Sequence, residues 1–166
     1  MEIDIDDAFY VDKSMLIRVL NNKENKKDRF ICVSHPRRFG KTMAANMIAA
    51  YYSKGSDSHE VFSDLKISKD PSFEEHINRY TVIKLDMNDF VTNKGKLSVS
   101  EYIDEEVISE LRKEYPSVTL KDGVSLSKAI MPIYSSTGDQ FVFIIDEYDV
   151  IIRDQEYSSE KKGKCQ

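Results

Sequence analysis

The sequence has little of what marks secreted, membrane-spanning or nucleic-acid-coating proteins. Cysteine is scarce: Cys32 lies in an apolar run and Cys165 in a polar tail, and there are 2 in 166 residues. That is no disulfide framework, so a reducing, cytoplasmic setting is expected. The N-terminus, Met1-Glu2-Ile3-Asp4-Ile5-Asp6-Asp7, is acidic and lacks the apolar stretch of a signal peptide. No apolar run approaches the ~20 residues that a spanning helix needs, so no membrane association is expected. Excess positive charge is also missing. The net charge is −5 and the pI is about 5.3, which argues against direct nucleic-acid binding. Repeats and low-complexity tracts are absent, His35, His59 and His76 lack zinc-ligand spacing, and no Ser-His-Asp or Cys-His arrangement is suggested.

What is present is globular. Apolar residues make up 40% and charged residues 32%, and the length suits one domain or a large piece of one. Tyr10 to Leu20 reads as a short helix capped by Asp12, with Met15, Leu16, Val19 and Leu20 on one face. Asn21 to Arg29 is a lysine-rich loop. Phe30-Ile31-Cys32-Val33 is a short continuous apolar run, the pattern of a buried parallel strand. Met43 to Tyr52 is rich in helix formers and stops near Gly55. Val61 to Leu65 reads as a helical turn and Thr81 to Met87 as a second strand. Ser98 or Ser100 can cap a helix to about Tyr115, with Val99, Tyr102, Ile103, Val107 and Leu111 at helical spacing. Ser125 can cap another through about Tyr134. Phe141-Val142-Phe143-Ile144-Ile145 is the third strand. Strands separated by helices imply parallel pairing through right-handed crossovers.

Two junctions carry chemistry. After the first expected strand comes His35-Pro36-Arg37-Arg38-Phe39-Gly40-Lys41-Thr42, close to the G-x-x-x-x-G-K-[ST] phosphate-binding loop. His35 stands where the first glycine would be, and Pro36 fixes the backbone beside it. Unpaired N–H groups at a helix start can hold phosphate oxygens. Gly40 allows close approach, Lys41 can bridge the terminal phosphates, and the Thr42 hydroxyl can ligate Mg²⁺. Arg37 and Arg38 can be charge-assisted donors or can pair with surface carboxylates, and both readings stand. At the end of the third strand, Asp146 and Glu147 follow four apolar residues, the Walker B pattern. Asp146 would hold Mg²⁺ and Glu147 would orient or deprotonate a water. Tyr148 and Asp149 read as loop structure, Asp86 and Asp89 as turn caps, and Tyr51 and Tyr52 as packing.

Several segments together resemble one family. They are Tyr10-Val11-Asp12-Lys13-Ser14, Pro36-Arg37-Arg38-Phe39-Gly40-Lys41-Thr42, Phe62-Ser63-Asp64-Leu65-Lys66-Ile67, Tyr80-Thr81-Val82-Ile83 and Phe141 to Asp149. The family is that of the bacterial predicted AAA-ATPase-like domains, P-loop ATPases often fused to a PD-(D/E)XK nuclease-like domain. The resemblance covers roughly residues 9 to 152. It implies ATP at Pro36, Arg37, Arg38, Phe39, Gly40, Lys41 and Thr42, and Mg²⁺ at Thr42 and Asp146. Lys41 and Glu147 would be the catalytic residues of ATP hydrolysis coupled to conformational change. Full-length members would carry the nuclease-like domain as a partner. An arginine is common where this chain has His35. Such ATPases place a sensor strand between the P-loop and Walker B strands, and strand counting finds none here. The expectation is therefore an α/β, P-loop NTPase-like parallel sheet with flanking helices over residues 1–152, lacking that strand. A polar, disordered tail is expected over 153–166, and the chain reads as an N-terminal fragment with weak or no hydrolysis of its own. The rival readings are a non-hydrolysing nucleotide switch and a partner- or nucleic-acid-associated module of a defence or mobile-element system.

Overall fold

A computed structural model describes residues 11–24, 26–27, 29–34 and 40–153. The chain divides into two compact units, Met1–Val82 and Ile83–Gln166. The architecture is mixed α/β, with a two-stranded parallel sheet and flanking helices.

The first unit is helical. Helix α1 (Met15–Asn21) buries Ile17 and Asn21, while Val19 is 50% exposed. The expected face of Met15, Leu16, Val19 and Leu20 is thus corrected: Ile17 and Asn21 point inward and Val19 outward. The cause is polar: Asn21 is drawn inward by hydroxyls that no apolar pattern reports. Helix α2 (Lys41–Tyr52) ends in two adjacent tyrosines, both buried as packing residues. Tyr51 sits edge-on to Tyr52 and Phe62, with centroids 4.9 and 5.6 Å apart, and Tyr52 stands edge-on to Tyr80 at 5.2 Å. Such pairs add about 0.5–1.5 kcal/mol each beyond area burial. The Asn21 amide donates to the Tyr51 hydroxyl at 3.1 Å and to Ser72 Oγ at 2.9 Å. The Tyr52 hydroxyl donates to Asn21 Oδ1 at 2.6 Å, and that of Tyr51 to the Phe73 carbonyl at 2.9 Å. Burial pushes the Tyr51 phenol up to about 12, so it stays protonated and able to donate.

Short elements close this unit: α3 (His59–Phe62), a 3₁₀ turn (Lys66–Lys69) and α4 (Phe73–His76). Asn78 adopts φ 55°, a left-handed conformation that asparagine tolerates. Its side chain donates to the Ser53 carbonyl at 2.7 Å and accepts from the Ser58 N–H at 3.0 Å. This turn feeds the chain into β1 (Thr81–Asp86), inside which the boundary between the units falls.

The expected strand at Phe30–Val33 is not found. Residues 29–34 have no regular structure, and Phe30 is 86% exposed with the Arg29 guanidinium over its ring at 5.4 Å. An apolar run becomes a strand only when a neighbouring edge accepts its backbone groups. Among the described residues no ladder includes this one.

The second unit packs α5 (Met87–Asn93), α6 (Val99–Glu114), α7 (Leu126–Thr137) and β2 (Phe141–Asp146) with the rest of β1. Asp86 accepts from the Asn88 N–H at 3.0 Å and caps α5, so the turn-capping expectation holds there, although α5 itself has no clear sequence signal. Helix α6 opens with a full capping box. Glu101 N–H donates to Ser98 Oγ at 3.2 Å and Ser98 N–H to Glu101 Oε2 at 2.8 Å. The Ser98 hydroxyl and N–H hold the Glu101 carboxyl below its ordinary range. Ser125 precedes α7 but makes no capping bond; Asp104 Oδ1 accepts the Leu126 N–H at 2.8 Å instead. The core is Ile83, Leu85 and Met87 against Val107, Ile108, Leu111, Ala129 and Ile133. Strand β2 is not buried throughout: Ile144 and Asp146 are buried, while Phe143 and Ile145 are 43% and 53% exposed. That is a one-sided strand, alternating with the pleat.

The repositioned face of α1 is directly measurable. In urea unfolding, Ile17→Ala is expected to lose about 2–5 kcal/mol and Val19→Ala less than about 0.5 kcal/mol. Equal losses would contradict this packing.

Candidate functional site

Two local arrangements hold the residues singled out from the sequence, one in each unit. In the first unit, Gly40 is the N-cap of α2 with φ 73°. Glycine takes this left-handed conformation without steric cost. Its carbonyl accepts the Ala44 N–H at 3.0 Å, so the helix ladder begins at the glycine. The N–H groups of the first turn, from Lys41 onward, are the donors that a helix leaves unpaired. No acidic side chain occupies that turn, so none of the helix's own first-turn residues competes for the positive end of its dipole. Lys41 is half-buried and Thr42 exposed. His35, Pro36, Arg37, Arg38 and Phe39 lie outside the described residues, as does the tail from residue 154.

Beside Gly40 stands a residue that belongs to no chemical motif in the sequence. The Lys13 ammonium lies 3.2 Å from where a Cβ on Gly40 would be. The residues on either side of Lys13 are fixed. Asp12 Oδ1 accepts the Ser14 N–H at 2.8 Å and Oδ2 accepts the Lys66 N–H at 2.9 Å. Ser14, fully buried, accepts the Ile67 N–H on its hydroxyl at 3.2 Å. Burial opposes the Asp12 charge, but hydrogen bonds from Ser14 and from the backbone of Lys66 and Ser14 outweigh it and hold the carboxyl below its usual range. Asp12 therefore clasps a distant backbone rather than N-capping α1. The sequence signal was the Asp-Lys-Ser triplet itself, which carried resemblance without a role.

In the second unit, β2 ends at Asp146, 6% exposed. Its Oδ1 accepts the Glu147 N–H at 3.0 Å. Its Oδ2 is buried and, among the described residues, has no hydrogen-bond partner. Glu147 follows at φ 53°, a left-handed conformation that costs a non-glycine residue about 1–2 kcal/mol. Strain of this kind collects at functional sites. Asp149 forms an ion pair with Arg153 at 3.2 Å within the helical residues 149–153, a structural role.

The buried, unpartnered carboxylate oxygen tests the fit of a hard cation. Mg²⁺ takes oxygen ligands and is commonly held by one or two carboxylates, and Asp146 offers such an oxygen. Several other acidic and imidazole groups are engaged elsewhere. Asp89 accepts from the Asn93 amide at 3.3 Å. His59 lies between Asp57 at 3.1 Å and Glu74 at 3.3 Å, and these carboxylates, Asp57 foremost, raise its pKa. His76 is buried beside Tyr80 and Glu24. Among the described residues, no group of three or more His, Cys, Asp or Glu could hold a metal ion, so any metal here needs ligands beyond the carboxylates.

The family model for "Predicted AAA-ATPase" proteins matches residues 1–163. The chain belongs to the AAA-ATPase-like family. No curated protein and no solved structure matches it. Membership accords with a glycine-led helix start and an acidic strand end in one chain. Among the described residues of this AAA-ATPase-like chain, no helix is long and apolar enough to cross a membrane.

An unpartnered buried carboxylate oxygen should weaken the metal-free fold. Asp146→Asn removes the charge and keeps an acceptor for the Glu147 N–H. In Mg²⁺-free buffer its thermal midpoint is expected to rise by roughly 2–4 °C, equivalent to about 1 kcal/mol in a chain of this size. A lower midpoint would show that the charge is already compensated.

Proposed function

We propose that this AAA-ATPase-like chain binds ATP with Mg²⁺ and that hydrolysis of the ATP drives a conformational change. The observation that carries the reading is the Asp146 carboxylate, buried at a strand end with one oxygen unpartnered among the described residues and followed by a strained glutamate. Neither arrangement favours a plain strand terminus. Further support comes from the α2 start, where Gly40 leads Lys41 and Thr42.

In this proposal Pro36, Arg37, Arg38, Phe39 and Gly40 form the loop around the phosphates. The backbone N–H groups of Lys41 and Thr42 donate to phosphate oxygens, and the Lys41 ammonium offsets charge on the terminal phosphate. Thr42 and Asp146 would hold Mg²⁺, which supplies positive charge against that developing on the phosphoryl oxygens. Glu147 orients a water and accepts its proton as the water oxygen bonds to the γ-phosphorus. The bond to the bridging oxygen breaks, ADP departs, and the proton passes to phosphate. A nuclease-like domain is the partner that family membership suggests for a full-length protein. The net charge of −5 disfavours DNA contact by this part.

Calorimetry and phosphate release test the reading together. Lys41→Ala is expected to weaken Mg·ATP binding by about tenfold or more, a loss of about 1.4 kcal/mol or more. Glu147→Gln should keep binding and abolish release. Wild-type binding without any Lys41-dependent release would support the non-hydrolysing switch instead. Absence of ATP binding would overturn both.

A further inference from the structure

Lys13 is set apart by its neighbours. Asp12 Oδ2 and the Ser14 hydroxyl accept from the backbone of Lys66 and Ile67, more than fifty residues away in sequence. Ser14 is fully buried, whereas Lys13 between them is exposed. The Lys13 carbonyl accepts the Leu16 N–H at 3.0 Å, so its backbone is fixed on that side as well. This clamping confines where the lysine stem can start, and its ammonium reaches Gly40, 3.2 Å from the position of an absent Cβ. The ammonium occupies space that any side chain at residue 40 would contest. The glycine thus serves two ends, a left-handed φ of 73° and the close approach of a cation.

We propose that Lys13 is a second phosphate-binding cation of the α2 site. It lies beside Gly40, so that a polyphosphate held at the helix start meets an ammonium from the Asp12-Lys13-Ser14 turn as well as that of Lys41. The inference rests on the phosphate-binding reading of Gly40, Lys41 and Thr42 and adds a residue from outside the loop. An ammonium is a compact point charge with three donors, suited to the spread negative charge of a triphosphate. Its contribution grows with the number of ligand charges and is screened by salt. A purely structural brace would show neither property.

The test uses the full chain and calorimetric titration with ATP, ADP, AMP and inorganic triphosphate at two salt concentrations. The proteins are wild type, Lys13→Gln, Lys13→Arg and Lys41→Ala. Lys13→Gln is expected to weaken ATP and inorganic triphosphate by about tenfold, the scale of one charge-assisted hydrogen bond. It should weaken ADP less and AMP least, and flatten the salt dependence of ATP binding. Lys13→Arg should retain most of the affinity, and the melting temperature of Lys13→Gln should stay within a degree or two of wild type. Unchanged ATP affinity in Lys13→Gln, with a clear loss in Lys41→Ala, would overturn the role of Lys13 and leave the ATP reading standing. Equal losses for all ligands with a lowered melting temperature would make Lys13 a structural brace and also overturn it. No ATP binding by wild type would overturn both.

Discussion

A polar atom taken out of water must find a partner, and this rule organises the molecule. In the first unit it is obeyed closely. Asn21, nearly buried, meets Tyr51, Tyr52 and Ser72. Ser14, fully buried, receives the Ile67 N–H. Each bond nets only about 0.5–1.5 kcal/mol, but an unmade one costs about 1–3 kcal/mol. These partners therefore fix which way α1 faces and how the segment before it is tied down. Aromatic packing around Tyr51 supplies much of the apolar burial, and the hydroxyls decide the geometry.

Against that background, Asp146 Oδ2 stands out. Partnerless among the described residues, it sits beside the left-handed Glu147. Stability given up at one buried polar atom is what binding sites tend to show. The α2 start makes the complementary case. There the chain presents backbone donors with no acidic side chain in the first turn, and the Lys13 ammonium lies close by. One unit thus offers an arrangement suited to anions, and the other an oxygen suited to a cation.

Much of this was legible in the residues. Gly-Lys-Thr ahead of a helix-forming stretch gave the start of α2. Ser98, one of two serines that could cap α6, is its N-cap, and Glu101 completes a capping box, because a side chain that reaches only its own turn is written into local spacing. The apolar run before Asp146 gave the end of β2. Other features were not legible. Phe30–Val33 reads as a strand by composition, yet a strand needs a second edge. The face of α1 was misplaced because Asn21 counts as polar in any pattern, although it is buried among hydroxyls. Asp12 resembled a helix cap, but its oxygens went to Ser14 and to Lys66, far along the chain.

The sequence by itself determined the elements governed by short-range physics: where most helices begin, where the two strands run, and which residues stand at the junctions that can carry chemistry. Its family membership follows from the same residues. Only the tertiary structure decided which polar groups are satisfied and which are not, which face of α1 is buried, and that Lys13 lies over Gly40. The reason is distance along the chain. A local pattern constrains residues a turn or a pleat apart, whereas the partner of a buried oxygen or the neighbour of a glycine is chosen by the folded chain, from residues tens of positions away.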